Sequence, residues 1–64
     1  MNSKNLQYFL TVADEHSISA AARKLYIAQP SLSQYIGRIE ESVGAPLFKR
    51  TPNGLELTDV GQQF

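Results

Sequence analysis

Polar and apolar positions alternate with helical spacing most clearly in residues 28–44, AQPSLSQYIGRIEESVG. Leu32, Ile36, Ile39 and Val43 recur at i, i+4, i+7 and i+11, which lines them along one face of an α-helix as a stripe to be buried. The opposite face holds Ser31, Ser33, Gln34 and Arg38, short or flexible hydrogen-bonding groups with no carboxylate among them. Pro30 falls just inside the start of this helix, where its missing N–H costs little. The cap is left to Ala28 or Gln29, neither of them strong, and Gly44 is placed to supply the left-handed residue after the last turn.

The same reading predicts three more helical segments and a hairpin. A first helix starts near Ser3, a candidate N-cap, and runs to about Asp14 or Glu15, with Leu6, Phe9, Leu10 and Ala13 as its buried stripe and Tyr8 and Val12 widening it. Ser19 is the expected N-cap of a short second helix, Ala20 to about Leu25, whose three alanines favour helix and keep its surface slim enough for close crossing. Tyr26, Ile27 and Ala28 form a tight connector into the third helix. Leu47 to Arg50 and Leu55 to Leu57 flank Thr51-Pro52-Asn53-Gly54, and Asn-Gly between two short β-capable runs predicts a hairpin turn in which both residues tolerate positive φ. Thr58 caps a fourth helix from about Asp59, with Val60 and Phe64 opening an i, i+4 stripe. That stripe reads as the start of a longer helix, and the chain as a fragment.

The 64 residues allow one small domain, near the lower size at which a chain folds alone, and an apolar content of 42% argues against disorder. Cysteine is absent and histidine occurs once, at His16, so neither a disulfide framework nor a zinc site is expected, and no cofactor either. The longest apolar run, Leu25-Tyr26-Ile27-Ala28, is far too short for a membrane span or a secretory signal. The expectation is a soluble, cytoplasmic module.

The formal net charge is zero, but its distribution along the chain is uneven. Between His16 and Ile39 there is no acidic residue, while Arg23, Lys24 and Arg38 are present. A second acid-free stretch, from Val43 to Leu55, holds Lys49 and Arg50. If the six carboxylates face away from these segments, the domain has a positive side despite its neutral sum. His16, Ser17, Ser19 and Asp14 together superficially invite a hydrolase reading. Neighbours in sequence do not make a triad, and a chain this short builds no oxyanion hole and pocket around one, so no enzyme is expected.

Helix, helix, tight turn, helix and hairpin is the order of a mostly α, winged helix-turn-helix fold: a three-helix core, a β-hairpin wing and the start of a fourth, linker helix. Leu25, Ile27, Leu32 and Ile36 fill the junction of the second and third helices. The third helix is then free to enter a major groove about 12 Å wide, leading with Gln29, Pro30, Ser31, Ser33 and Gln34. Glutamine pairs with adenine N6 and N7, and serine hydroxyls suit base edges or phosphates. Arg38, one turn further on, is better placed for a phosphate.

From Ser17 to Phe64 the chain resembles the amino-terminal DNA-binding domain of LysR-type transcriptional regulators. The landmarks are in register: the Ser-Phe-Thr-x-Ala-Ala-x-x-Leu opening (here SISAAARKL), Gln-x-x-x-Ser from Gln29 to Ser33, Leu-Glu-x-x-x-Gly with Ile39 for the leucine, Leu-Phe-x-Arg at Leu47 to Arg50, and Leu-Thr-x-x-Gly at Leu57 to Gly61. The likeness spans about Leu6 to Gly61. It implies sequence-specific binding of double-stranded DNA in a bacterial transcription factor, with residues 1–58 as the DNA-binding domain, the recognition helix at about 29–43 and the wing at 48–57. Residues 59–64 would begin a truncated linker helix through which the intact protein forms a homodimer or homotetramer, the fragment itself remaining a monomer. The DNA contacts carried over are Gln29, Pro30, Ser31, Ser33, Gln34 and Arg38 in the major groove, Arg50, Pro52 and Asn53 near the minor groove or its phosphates, and Ser19 on a phosphate, as helix N-termini allow.

Two positions depart from the family pattern. Ala28 stands where a capping serine is frequent, which removes a hydrogen bond worth about 1 kcal/mol. Gly37 stands mid-helix in place of a long polar residue, at a cost of roughly 0.5–1 kcal/mol against alanine. Two other roles are compatible with the fold class: a third helix that docks onto a polypeptide, and a small structural or oligomerisation module centred on the fourth helix.

Overall fold

The computed structural model describes residues 3–63, as four helices and one hairpin: α1 (Ser3–Glu15), α2 (Ile18–Leu25), α3 (Gln29–Val43), β1 (Phe48–Thr51), β2 (Gly54–Leu57) and α4 (Asp59–Gln63). The element order is the one expected. Phe64, the second member of the α4 stripe, lies outside the described residues.

The core sits where α1, α2 and α3 meet. Its buried members are Phe9, Val12, Ala21, Ala22, Leu32, Ile36, Ile39 and Leu47. Three of these come from α3 at the spacing read from the sequence. The fourth position, Val43, is 37% exposed. The α1 stripe also differs from expectation. Phe9 and Val12 are buried, whereas Leu6 and Leu10 are 43% and 48% exposed. Apolar residues cover a wider arc of α1 than two helices and a hairpin can bury, and the flank bearing Phe9 and Val12 won. Tyr35 packs against α1, its ring 4.7 Å from that of Tyr8, and Phe9 meets Phe48 of the hairpin at 5.3 Å.

Helix ends follow local chemistry with two revisions. Ser3 is already helical, so it is not the N-cap of α1. Helix α2 begins at Ile18, and its cap is Ser17, whose Oγ accepts from the Ala20 amide at 3.1 Å; Ser19 lies in the first turn. Either serine suits a cap, and the backbone decides: Ser17 is extended while Ser19 is helical. At the other end Tyr26 adopts a left-handed conformation, φ 58°, and its amide reaches Ala22 and Arg23 carbonyls. Helix α3 starts from Ala28 with no side-chain cap and stops at Gly44, φ 86°, a left-handed position glycine takes without steric penalty. Thr58 caps α4 as expected, accepting from the Gly61 amide at 3.0 Å.

The antiparallel hairpin pairs Phe48 with Leu57, Lys49 with Glu56, Arg50 with Leu55 and Thr51 with Gly54. Its turn is not the expected Asn-Gly type. Pro52 and Asn53 are the central residues, and Asn53 keeps a negative φ while Gly54, at +108°, opens β2. Proline presets the first central position, and the Thr51 hydroxyl accepts from the Asn53 amide (3.2 Å) and donates to the Gly54 carbonyl (3.0 Å). Both choices draw the turn one residue toward the N-terminus.

Two ties hold the hairpin to the helices. The Leu55 amide donates to the His16 carbonyl, and His16 Nδ1–H donates to the Leu55 carbonyl, each at 2.9 Å. A carbonyl only accepts, so Nδ1 carries the proton. On the opposite side one Glu40 carboxylate oxygen accepts from the amides of Leu47 (2.7 Å) and Phe48 (3.4 Å). The wing is therefore pinned to the start of α2 and to the last turns of α3.

Candidate nucleic-acid interface

Because Leu32, Ile36 and Ile39 face inward, the residues between them in the helical repeat face out. Gln29, Pro30, Ser31, Ser33, Gln34 and Arg38 are all exposed, and together they form the front of α3. Their polar atoms carry no hydrogen bond that would turn them into the domain. Hydroxyls and amides in this setting are available as donors and acceptors to a ligand presenting the same groups.

Four residues outside α3 meet or flank this front. A cleft of about 270 Å³ lies between the start of α2, the start of α3 and the hairpin, and Ser19, Gln29 and Arg50 all line it. Three candidates from three different elements thus share one concave surface. Ser19 is half-buried there, its Oγ 3.2 Å from that of Ser17. Pro52 and Asn53 are exposed at the hairpin tip and do not line the cleft. Arg38 instead borders a shallow hollow further along α3 with Gln34, Gly37 and Glu41.

The carboxylates only partly avoid this side. Glu15 is engaged by Lys24 at 3.3 Å, and Glu40 is turned to the hairpin amides. Glu41, however, borders the hollow beside Arg38, so the outer face of α3 is not wholly free of acid. Lysine 24 is accordingly placed by its partner on α1, while Arg23 is exposed.

Sequence reasoning missed His16 and Ser17, which also line the cleft. His16 lies in the turn between α1 and α2, with φ 56°. Its link to Leu55 spans 39 residues, and no local pattern encodes that contact. The contact also explains Gly54: a Cβ there would stand 2.5 Å from the His16 carbonyl oxygen. Among the described residues no group of three or more His, Cys, Asp or Glu side chains could hold a metal ion, and no helix is long and apolar enough to cross a membrane.

This geometry recurs in known proteins. Residues 3–62 match the family model described as bacterial regulatory helix-turn-helix protein, lysR family. The chain is 50% identical over its full 64 residues to the HTH-type transcriptional regulator BudR of Klebsiella aerogenes, covering 45% of that protein. Among solved structures, the BenM DNA-binding domain in complex with benA site 1 DNA superposes with a TM-score of 0.91 at 41% identity, covering all of this chain and 74% of that one. The CbnR DNA-binding domain bound to DNA gives 0.89 at 34% identity, with the same coverage. The chain spans less than half the length of these regulators, 45% of BudR and 22% of ClcR from Pseudomonas putida. With the family's helix order, hairpin and motif spacing matched over nearly every residue, this chain belongs to the LysR family of bacterial helix-turn-helix regulators.

Proposed function

We propose that this chain is the sequence-specific, double-stranded-DNA-binding domain of a transcription regulator, with α3 in the major groove and the hairpin near the minor groove. The observation that carries the reading is the exposed hydroxyl- and amide-bearing front of α3, continuous with the cleft where Ser19, Gln29 and Arg50 meet. Gln29, Pro30, Ser31, Ser33 and Gln34 meet base edges or the groove wall, and Arg38, Arg50 and Ser19 meet phosphates, with Pro52 and Asn53 at the minor-groove side. Two proteins of the same fold were solved in complex with DNA, which supports DNA as the ligand. Residues 1–58 act as the binding domain and 59–64 begin the linker helix. The intact regulator works in the cytoplasm as a homodimer or homotetramer through that helix, while the 64-residue chain is monomeric.

A protein-docking role for α3 is disfavoured by its surface. Exposed large apolar side chains among the described residues are Leu6, Leu10, Tyr26, Val43 and Val60, none of them on the front of α3, where a protein interface would concentrate its anchors. Fluorescence anisotropy with labelled mixed-sequence duplexes tests the reading. Affinity is expected to fall steeply with salt, with a log–log slope of roughly −0.9 per phosphate neutralised. No binding at low salt would refute it.

Reading and positioning contacts separate in a second experiment. Gln34→Ala is expected to relax preference at one base pair by about 1–3 kcal/mol, while Arg38→Ala weakens all duplexes alike and reduces the salt slope by about one. Binding selections on both variants check the pattern; a uniform loss for Gln34→Ala would make Gln34 a positioning residue.

A further inference from the structure

Gly37 has no intramolecular reason to be glycine. Gly44 and Gly54 occupy positive φ, and at Gly61 a Cβ would collide with the backbone oxygen of Leu47. At Gly37 the backbone is helical, and a Cβ would meet nothing within 4 Å. Glycine inside a helix is less stable than alanine, so the domain forgoes stability here without a return from its own packing.

The place of this bare backbone is informative. Pro30, Gln34, Gly37 and Glu41 follow one another at spacings of four, three and four along α3, with Ser33 beside Gln34, on the side away from Leu32, Ile36 and Ile39. Gly37 therefore lies at the middle of the outer face, one turn beyond Ser33 and Gln34. It forms the floor of the shallow hollow whose rim is Gln34, Arg38 and Glu41.

We propose that Gly37 is a positioning residue for DNA: its missing side chain lets the sugar-phosphate backbone at the groove wall seat against α3, between Gln34 and Arg38. This rests on the reading of α3 as the DNA-contacting helix. Three features favour a nucleic-acid backbone as the occupant. The hollow continues the polar front, it is bordered by an arginine suited to a phosphate, and none of its lining residues, Gln34, Gly37, Arg38 and Glu41, carries an apolar side chain of the kind that anchors a protein partner. Glu41, at the next position along the face, marks where the duplex must leave the helix, since a carboxylate repels phosphate.

The test uses Gly37→Ala and Gly37→Leu in the 64-residue chain. Both residues are strong helix formers directed into open space, so thermal denaturation is expected to show Tm raised by about 2–8 °C. Anisotropy with labelled mixed-sequence duplexes is expected to show the opposite trend, affinity falling several-fold for Gly37→Ala and about 10–100-fold for Gly37→Leu, as overpacking of a close contact implies. The loss should be uniform across sequences, and Gly37→Leu should lower the salt slope by roughly 0.9 for each phosphate contact displaced. A purely structural role leaves the slope unchanged. Higher Tm with unchanged or tighter duplex binding overturns the proposal, as does a loss confined to particular base pairs. If the unsubstituted chain binds no duplex, it is the DNA-binding reading that fails.

Discussion

Leu32→Ala is expected to be the most damaging single substitution in this domain, removing about 2–5 kcal/mol through lost burial and the cavity left behind. Leu32 has no exposed surface and sits where α3 meets the rest of the core. A domain of this size has a total stability of only about 3–10 kcal/mol, so the variant will be partly or wholly unfolded near room temperature. Urea denaturation followed by far-ultraviolet circular dichroism measures it. The comparison is Val43→Ala, about three turns further along the same stripe but 37% exposed, expected to lose far less. Equal losses at the two sites would mean that the buried seam of α3 does not end at Ile39. The functional consequence follows directly, since the polar front of α3 is presented only while the opposite face is seated.

Glu40→Ala is expected to cost about 2–3 kcal/mol and to loosen the hairpin, because it strips two backbone amides of a charged acceptor. One Glu40 oxygen holds both Leu47 and Phe48, the residues that lead the chain from α3 into β1. Alanine favours helix, so the loss cannot come from α3 itself. Glu40→Gln keeps an acceptor oxygen and should recover part of the stability. Amide hydrogen exchange is the direct readout, with faster exchange at Leu47, Phe48 and Leu57, the partner of Phe48 on β2, than in the α1–α2 core. Protection at Leu47 equal to that of the unsubstituted chain would show that the tie is dispensable. Arg50, which depends on β1 for its place in the cleft, should lose its contribution to duplex affinity in step with that exchange.

Much of this was legible along the chain. Each helix of the core and the hairpin are set by short-range preferences: apolar residues three and four apart, proline inside the start of α3, glycine after its end, threonine before α4. The front of α3 was legible for the same reason, being what remains when the buried stripe is subtracted. The cleft was not. Ser19, Gln29 and Arg50 were each singled out separately, and only the packing of α2, α3 and the hairpin brings them to one surface.

The places where expectation and structure part share a cause. The expected α1 stripe was Leu6, Phe9, Leu10 and Ala13, widened by Tyr8 and Val12, and the burial of Phe9 and Val12 rather than Leu6 and Leu10 was set by how much neighbouring surface was available. Ser19 was the expected cap of α2, and Ser17, extended after the left-handed turn at His16, takes that place instead. Asn53 and Gly54 were a sound turn pair until Pro52 and the Thr51 hydroxyl shifted the turn by one residue. Nothing in the local pattern marked Glu40, whose carboxylate is a bracket between α3 and β1.

Local composition by itself thus determined the order and type of the elements and the chemistry of the exposed face of α3, since periodicity, capping and turn preference act within a few residues. Which of two apolar flanks is buried, which serine caps, how His16 and Glu40 clamp the wing, and that Gly37 faces open space were decided by tertiary structure alone. Those outcomes depend on contacts between residues far apart in the chain, where no pattern within one segment carries the information.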